Sequence, residues 1–263
     1  KKIGIERLHM EEDAGKLVHS GSDRLAGSKY SLVDYNRAGI ALCEIVSKPD
    51  IRSGKEASEY ASEIRRTVRY LGVSDGNMQE GSLRCDVNIS VRKGPNAPFG
   101  TKVEIKNMNS FSAIQKACDY EIARQIEVYE NGGKIFQETR LWDEAKQLTK
   151  SMRMKEGSSD YRYFPDPDLG PIEITKAQKE IWLKELPELP SKKRNKYVSE
   201  FGLSAYDARV ISDEINMANF FEETVANGAE AKLASNWVTS DIVGYLKANK
   251  LSFSDLKLSP ENL

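Results

Sequence analysis

Gly81-Ser-Leu-Arg-Cys-Asp-Val-Asn-Ile-Ser-Val-Arg92 is the key to how the first part of this chain folds. Leu83, Cys85, Val87, Ile89 and Val91 share one parity, and Arg84, Asp86, Asn88 and Ser90 share the other. Successive side chains of a strand point to opposite faces, so the pattern predicts a strand with one apolar and one polar face. A second run, Thr101-Lys-Val-Glu-Ile-Lys-Asn107, sets Val103 and Ile105 against Lys102, Glu104 and Lys106. The connection Lys93-Gly-Pro-Asn-Ala-Pro-Phe-Gly100 is rich in turn residues and predicts an antiparallel hairpin. Its polar face is either an ordinary solvated surface or the wall of a site.

A helix is signalled on either side of this hairpin. Ser53-Gly-Lys-Glu56 has the capping-box pattern, and Ala57, Tyr60, Ala61, Ile64, Val68 and Leu71 trace a helical face up to Gly72. From Ser110, the positions Ile114, Cys118, Ile122, Ile126 and Tyr129 make a second stripe that stops at Gly132-Gly133. Further strands are expected near 2–10 and 39–47. Strands mixed with helices predict an α+β fold, a cradle of antiparallel sheet with packed helices over residues 1–174. The proline-punctuated stretch Phe164–Ile172 ends it, and residues 175–263 read as an all-α domain.

Composition bounds the function classes. The 263 residues are 39% hydrophobic and 30% charged, with a net charge of −1, so no global field attracts nucleic acid and any RNA contact rests on local basic patches. No apolar run approaches the length of a membrane span. Cys43, Cys85 and Cys118 are isolated, which favours reduced thiols in a reducing compartment over disulfides or a zinc cage. The chain begins at Lys1 and enters an apolar alternation at Ile3 and Ile5, and it stops at Pro260-Glu-Asn-Leu263 without a clear final element. We therefore expect a piece of a longer polypeptide.

The candidate chemistry is acidic. His9-Met-Glu11-Glu12-Asp13 places three adjacent carboxylates beside an imidazole, which suits a hard cation such as magnesium; the alternative is a solvated strand end. If that strand continues, His9 and Glu11 point one way and Glu12 the other. Glu44 lies among Ile40, Leu42 and Val46 on its own parity and Ala41, Cys43 and Ile45 on the other, so both faces read as buried. A carboxylate there needs a metal or an ion-pair partner. On the hairpin, Arg84, Asp86, Lys102 and Lys106 suit either phosphate binding or cross-strand pairing. Tyr161-Arg-Tyr-Phe164 suits stacking on bases or anchoring a loop, and Lys192-Lys-Arg-Asn-Lys196 suits an RNA backbone or a solvated helix face. No phosphate-binding glycine loop, zinc-protease motif or serine elbow occurs.

Taken together, Arg7–Gly15, Glu44-Ile-Val-Ser-Lys-Pro-Asp50, Glu80–Asn88, Lys106-Asn-Met-Asn-Ser-Phe111, Gln137-Glu-Thr-Arg140 and Asp160–Asp168 resemble the GatB/GatE family, the tRNA-dependent B subunits of the aspartyl/glutamyl-tRNA amidotransferases. The blocks occur in the family's order over most of residues 1–170; residues 175–263 resemble its helical domain more loosely. The resemblance implies a bacterial cytoplasmic ligase component working in a heterotrimer with the A and C subunits. Using ATP and Mg2+, it would phosphorylate the side-chain carboxylate of Glu-tRNA(Gln) or Asp-tRNA(Asn). Ammonia from the glutaminase partner would then displace phosphate. The resemblance further implies that Glu11, Glu12 and Glu44 line the magnesium and phosphorylation site, with His9 adjacent. Arg84, Asp86, Asn88 and Lys106 would form a cradle for ATP or the tRNA acceptor end. The family's N-terminal segment, with further Glu and His ligands, and its C-terminal tail domain have no counterpart here, and Gly170 stands where the family often has proline. A non-catalytic tRNA-binding or assembly scaffold is the alternative.

Overall fold

The computed structural model describes residues 1–20, 29–154, 167–168 and 170–263. The chain forms two compact units, Lys1–Glu56 and Ala57–Leu263.

The first unit holds two antiparallel pairs. Strand β1 (Ile5–Glu12) pairs with β4 (Ala41–Ser47), and between them β2 (Lys16–His19) pairs with β3 (Ser31–Asp34). Asp13 closes the junction: its N–H donates to Ile40 O at 2.8 Å, and its carbonyl accepts from Gly39 N at 3.0 Å. The expected strands near 2–10 and 39–47 are present; β2 and β3 carried no clear signal. Leu8, Met10, Leu17 and Leu32 remain more than half exposed within this unit.

Helix α1 (Gly54–Tyr70) starts where the capping pattern places it, with Ser53 Oγ accepting from Glu56 N at 3.2 Å, and Gly72 follows its end at φ +66°. The second unit is then built around the sheet β5 (Val87–Ile89), β6 (Val103–Lys106), β7 (Glu138–Asp143) and β8 (Leu148–Met154), in that spatial order. The hairpin is antiparallel, with Val87 opposite Ile105 and Ile89 opposite Val103. Its ladder spans only 87–89 of the expected 83–92, yet the alternation holds beyond it: Leu83, Cys85, Val87 and Ile89 turn inward while Arg84, Asp86 and Asn88 are exposed. Gly100 is required where the hairpin closes, because a Cβ there would stand 2.4 Å from Val91 O.

The β6–β7 pair is parallel, since α2 (Phe111–Glu130) carries the chain back across the sheet; β7–β8 is antiparallel again. Ser110 caps α2, accepting from Ala113 N at 3.0 Å. The buried face of α2 is Ala113, Ile114, Ala117, Cys118, Glu121 and Gln125, which corrects the expected stripe at its second half. Ile126 and Tyr129 are exposed, because polar residues take the core side there and find partners on the sheet.

Beyond residue 175 the chain is helical: α3 (Lys176–Glu185), α4 (Pro190–Ser199), α5 (Ala205–Ile211), α6 (Ile215–Ala226), α7 (Ala231–Asn236), a π-helical stretch Trp237–Ile242 and α8 (Val243–Asn249). Tyr197, Ile211, Phe221 and Val238 form a core in which the Tyr197 and Phe221 rings meet edge-on at 5.2 Å. Tyr70 Oη donates to Ser212 O at 3.0 Å, and Arg194 Nη2 lies 2.6 Å from Glu63 Oε1, so α1 is tied to this helical layer.

Candidate functional site

The register of β1 and β4 places His9 directly opposite Glu44, Glu11 opposite Leu42 and Glu12 opposite Ala41. Directly opposed residues share a face and neighbours along a strand alternate. Arg7, His9, Glu11 and Glu44 therefore share one face, while Glu12 lies on the other with Leu8, Met10 and Cys43. Alternation along β1, as expected, parts Glu12 from His9 and Glu11, and the pairing sets Glu44 on the Glu11 side.

Glu44 is not the buried carboxylate that its neighbours suggested. Within its unit it is exposed, as are Ile40 and Cys43, because β1–β4 is only two strands wide and neither face is packed within the unit. Its Oε1 accepts from Arg7 Nη2 at 2.8 Å, with the two side chains 44% and 57% exposed respectively. A pair this open stabilises by at most about 1 kcal/mol, so the carboxylate is readily exchanged to another cation. Asp13, third of the acidic cluster, is largely buried and lies 3.1 Å from Arg37 Nε. It serves the loop.

Among the described residues, no three His, Cys, Asp or Glu side chains are gathered to hold a metal ion. The donor chemistry nevertheless fits magnesium, which takes one or two protein carboxylates and completes its shell with water and phosphate oxygens. Glu11 and Glu44 offer such oxygens on one face.

The second unit assembles the other predicted residues. Asp86, Asn88, Glu104 and Lys106 share the polar face of the β5–β6 hairpin, and Arg84 continues the same parity on the approach to β5. Lys106 pairs with Asp86 across the hairpin, and its Nζ lies 3.7 Å from Glu104 Oε1. Glu104 in turn accepts from the buried Thr139 Oγ1 at 2.9 Å. Lys106 and Asp86 are each at least a third exposed, so their pair adds little stability and leaves both groups open to a ligand. Lys102 is exposed at the start of the same run. Cys85, between Arg84 and Asp86, points inward, and burial followed by the Asp86 charge pushes its thiol up to about 11, so it stays protonated and is no nucleophile.

Two polar features escaped the sequence reading. Arg7, the partner of Glu44, shares the parity of His9 and Glu11, so spacing alone could have flagged it. The buried Glu121 and Gln125 interrupt the apolar stripe of α2, which is itself the signal. The basic run Lys192–Lys196 is largely consumed internally, correcting its reading as an RNA-facing or solvated patch. Lys193 is buried against Glu222, Arg194 joins Glu63, and Lys196 reaches Glu222 at 3.7 Å. The segment Tyr161–Phe164 lies outside the described residues.

Residues 1–180 match the GatB/GatE catalytic domain, and residues 219–263 match the GatB domain. Among curated proteins, the B subunit of the aspartyl/glutamyl-tRNA(Asn/Gln) amidotransferase from Prochlorococcus marinus (strain MIT 9312) is 97% identical over all 263 residues, which cover 54% of that protein. The B subunits from Prochlorococcus marinus subsp. pastoris and from Parasynechococcus marenigrum are 88% and 74% identical, again over the whole chain and 54% of each protein. The chain thus spans about half the length of the curated relatives it matches. With the catalytic-domain match covering well over half of its residues, the chain belongs to the GatB/GatE family.

Proposed function

We propose that this chain is part of the ATP-dependent component of an amidotransferase that converts Glu-tRNA(Gln) or Asp-tRNA(Asn) to the amidated form, in complex with the A and C subunits. The family match over residues 1–180 carries the reading, and the placement of Glu11 and Glu44 on one face of β1–β4 supports its chemistry. In this reading residues 1–174 act as the catalytic cradle and 175–263 as a helical domain. The relatives are bacterial proteins, so the work is assigned to the bacterial cytoplasm, beside tRNA. No helix among the described residues is long and apolar enough to cross a membrane.

Phosphoryl transfer to a carboxylate sets anionic oxygens against one another, so the protein's task is positioning and charge compensation. Glu11 and Glu44 would hold Mg2+, which would supply positive charge to the ATP phosphates. His9, opposite Glu44, would orient that carboxylate, while Glu12, on the far face, would contribute only to the local field. Arg84 and Lys106 would bind phosphate oxygens, with Lys106 released from Asp86, and Asn88 would hydrogen-bond the nucleotide or acceptor end. The γ-phosphoryl group passes from ATP to a side-chain carboxylate oxygen, breaking its bond to the bridging oxygen and releasing ADP. Ammonia then attacks the carbonyl carbon of the acyl phosphate, forming the C–N bond and expelling phosphate, which carries off the proton that ammonia loses.

The test uses the full-length protein in its complex, assayed for ammonia-dependent amidation of Glu-tRNA(Gln). Glu11→Gln and Glu44→Gln should each slow the reaction by roughly two orders of magnitude, the scale of losing one charge-stabilising group. Unchanged rates in both would remove the assignment. A scaffold without chemistry predicts instead that tRNA binding weakens while the carboxylates are dispensable.

A further inference from the structure

Strand β5 is the edge of its sheet, paired on one side with β6 through a ladder of three residues. An edge strand ordinarily presents unpaired N–H and C=O groups on its other side. Here the side-chain amide of Gln125 from α2 takes two such groups, at the end of β5 and just beyond it. Its Oε1 accepts from Val91 N at 3.2 Å, and its Nε2 donates to Ile89 O at 3.2 Å. These are the two groups, flanking Ser90, that a parallel neighbouring strand would engage, so one glutamine amide stands in for a peptide unit.

The amide is itself clamped. Nε2 also donates to Glu121 Oε1 at 3.0 Å, and the Glu121 carboxylate accepts from Arg124 at 2.9 and 2.6 Å and from Thr149 Oγ1 of β8 at 3.0 Å. Glu121 and Gln125 are completely buried. A leucine in place of Gln125 could fill the volume, but it could not fix which backbone groups of the strand lie against the helix. That matters because a one-residue slip moves every side chain of a strand to the other face. With so short a ladder to β6, such a slip would turn Asp86 and Asn88 away from the polar face.

We propose that Gln125, clamped by Glu121, is a positioning residue that locks β5 in register and so presents Asp86 and Asn88 beside Lys106. The proposal rests on the reading of that polar face as the cradle for ATP or the tRNA acceptor end. Gln125 touches no reacting atom. It acts only through the strand.

The experiment places Gln125→Met, similar in length and without hydrogen bonds, in the full-length protein within its complex, alongside Lys106→Met. Gln125→Asn, which keeps the amide but is one methylene too short to span both groups, serves should the methionine variant fold poorly. Amide hydrogen exchange at Val91 should quicken roughly tenfold through local opening. KM for the misacylated tRNA or for ATP should rise severalfold, about the factor that one hydrogen bond is worth, with kcat little changed. A merely structural role would lower the melting temperature without that KM effect. Unchanged exchange at Val91 overturns the proposal, as does faster exchange with unaltered kinetics. Impaired Lys106→Met with normal Gln125→Met removes the positioning role and keeps the cradle. A normal Lys106→Met beside an impaired Gln125→Met removes Lys106 from the cradle and keeps the brace.

Discussion

The fate of each charged side chain follows from what its strand or helix packs against. Glu44 reads as buried in the sequence because the residues around it are apolar, but β4 has one strand beside it and no packed face within its unit. Glu121 shows the reverse: a carboxylate in the middle of a helix stripe, wholly buried and fully partnered. Glu138 is a third case. Burial would raise its pKa, but hydrogen bonds from Ser151 and Arg140 outweigh that and hold the carboxyl below its usual value of 4.5. A depressed carboxylate stabilises the fold above its unfolded pKa, and that contribution is lost as pH falls through the folded one. Stability of the full-length protein should therefore drop below about pH 4.5, and Glu138→Gln should flatten this acid limb in denaturant titrations. An unchanged acid limb would assign the loss to other carboxylates.

Among the secondary-structure elements, the turn from β6 into α2 follows directly on Lys106. Asn107 sits at φ +71°, a left-handed conformation that asparagine tolerates better than most residues, and its Nδ2 donates to Trp142 O at 3.1 Å. Ser110 then caps the helix. Asn107→Ala should cost about 1–3 kcal/mol, combining the strain of a left-handed backbone with the lost hydrogen bond, and Asn107→Gly should cost less because glycine removes the strain. Chemical denaturation of the pair measures both; equal losses would leave the hydrogen bond as the whole effect. The hairpin itself was legible, since Arg84, Asp86 and Asn88 alternate outward as their parity requires. The parallel β6–β7 pair was not, because the crossover depends on where α2 docks, and no local pattern records that.

Across the molecule, the helical part is held by an aromatic core and by ties to α1. The Phe221 ring is completely buried against Tyr197 and Phe201, so Phe221→Ala should cost about 3–5 kcal/mol, transfer and cavity contributions together. A thermal shift of the intact protein measures it, and a loss below about 1 kcal/mol would mean that the cavity collapses. The basic run of α4 belongs to the same framework: Arg194 and Lys193 are neutralised by Glu63 and Glu222.

Local order along the chain was enough for the α+β character, the hairpin and its two faces, the starts of α1 and α2, and the family, because alternation, caps and ordered blocks are all read over short stretches. That Glu44 shares the face of Glu11 and not that of Glu12, which basic residues are already paired, and that a buried glutamine engages the edge of β5 emerged only from the folded chain. Those outcomes depend on register and packing between distant segments: Glu12 is parted from Glu44 by the pairing of strands more than twenty residues apart in sequence, and Gln125 meets the β5 edge across 34 residues.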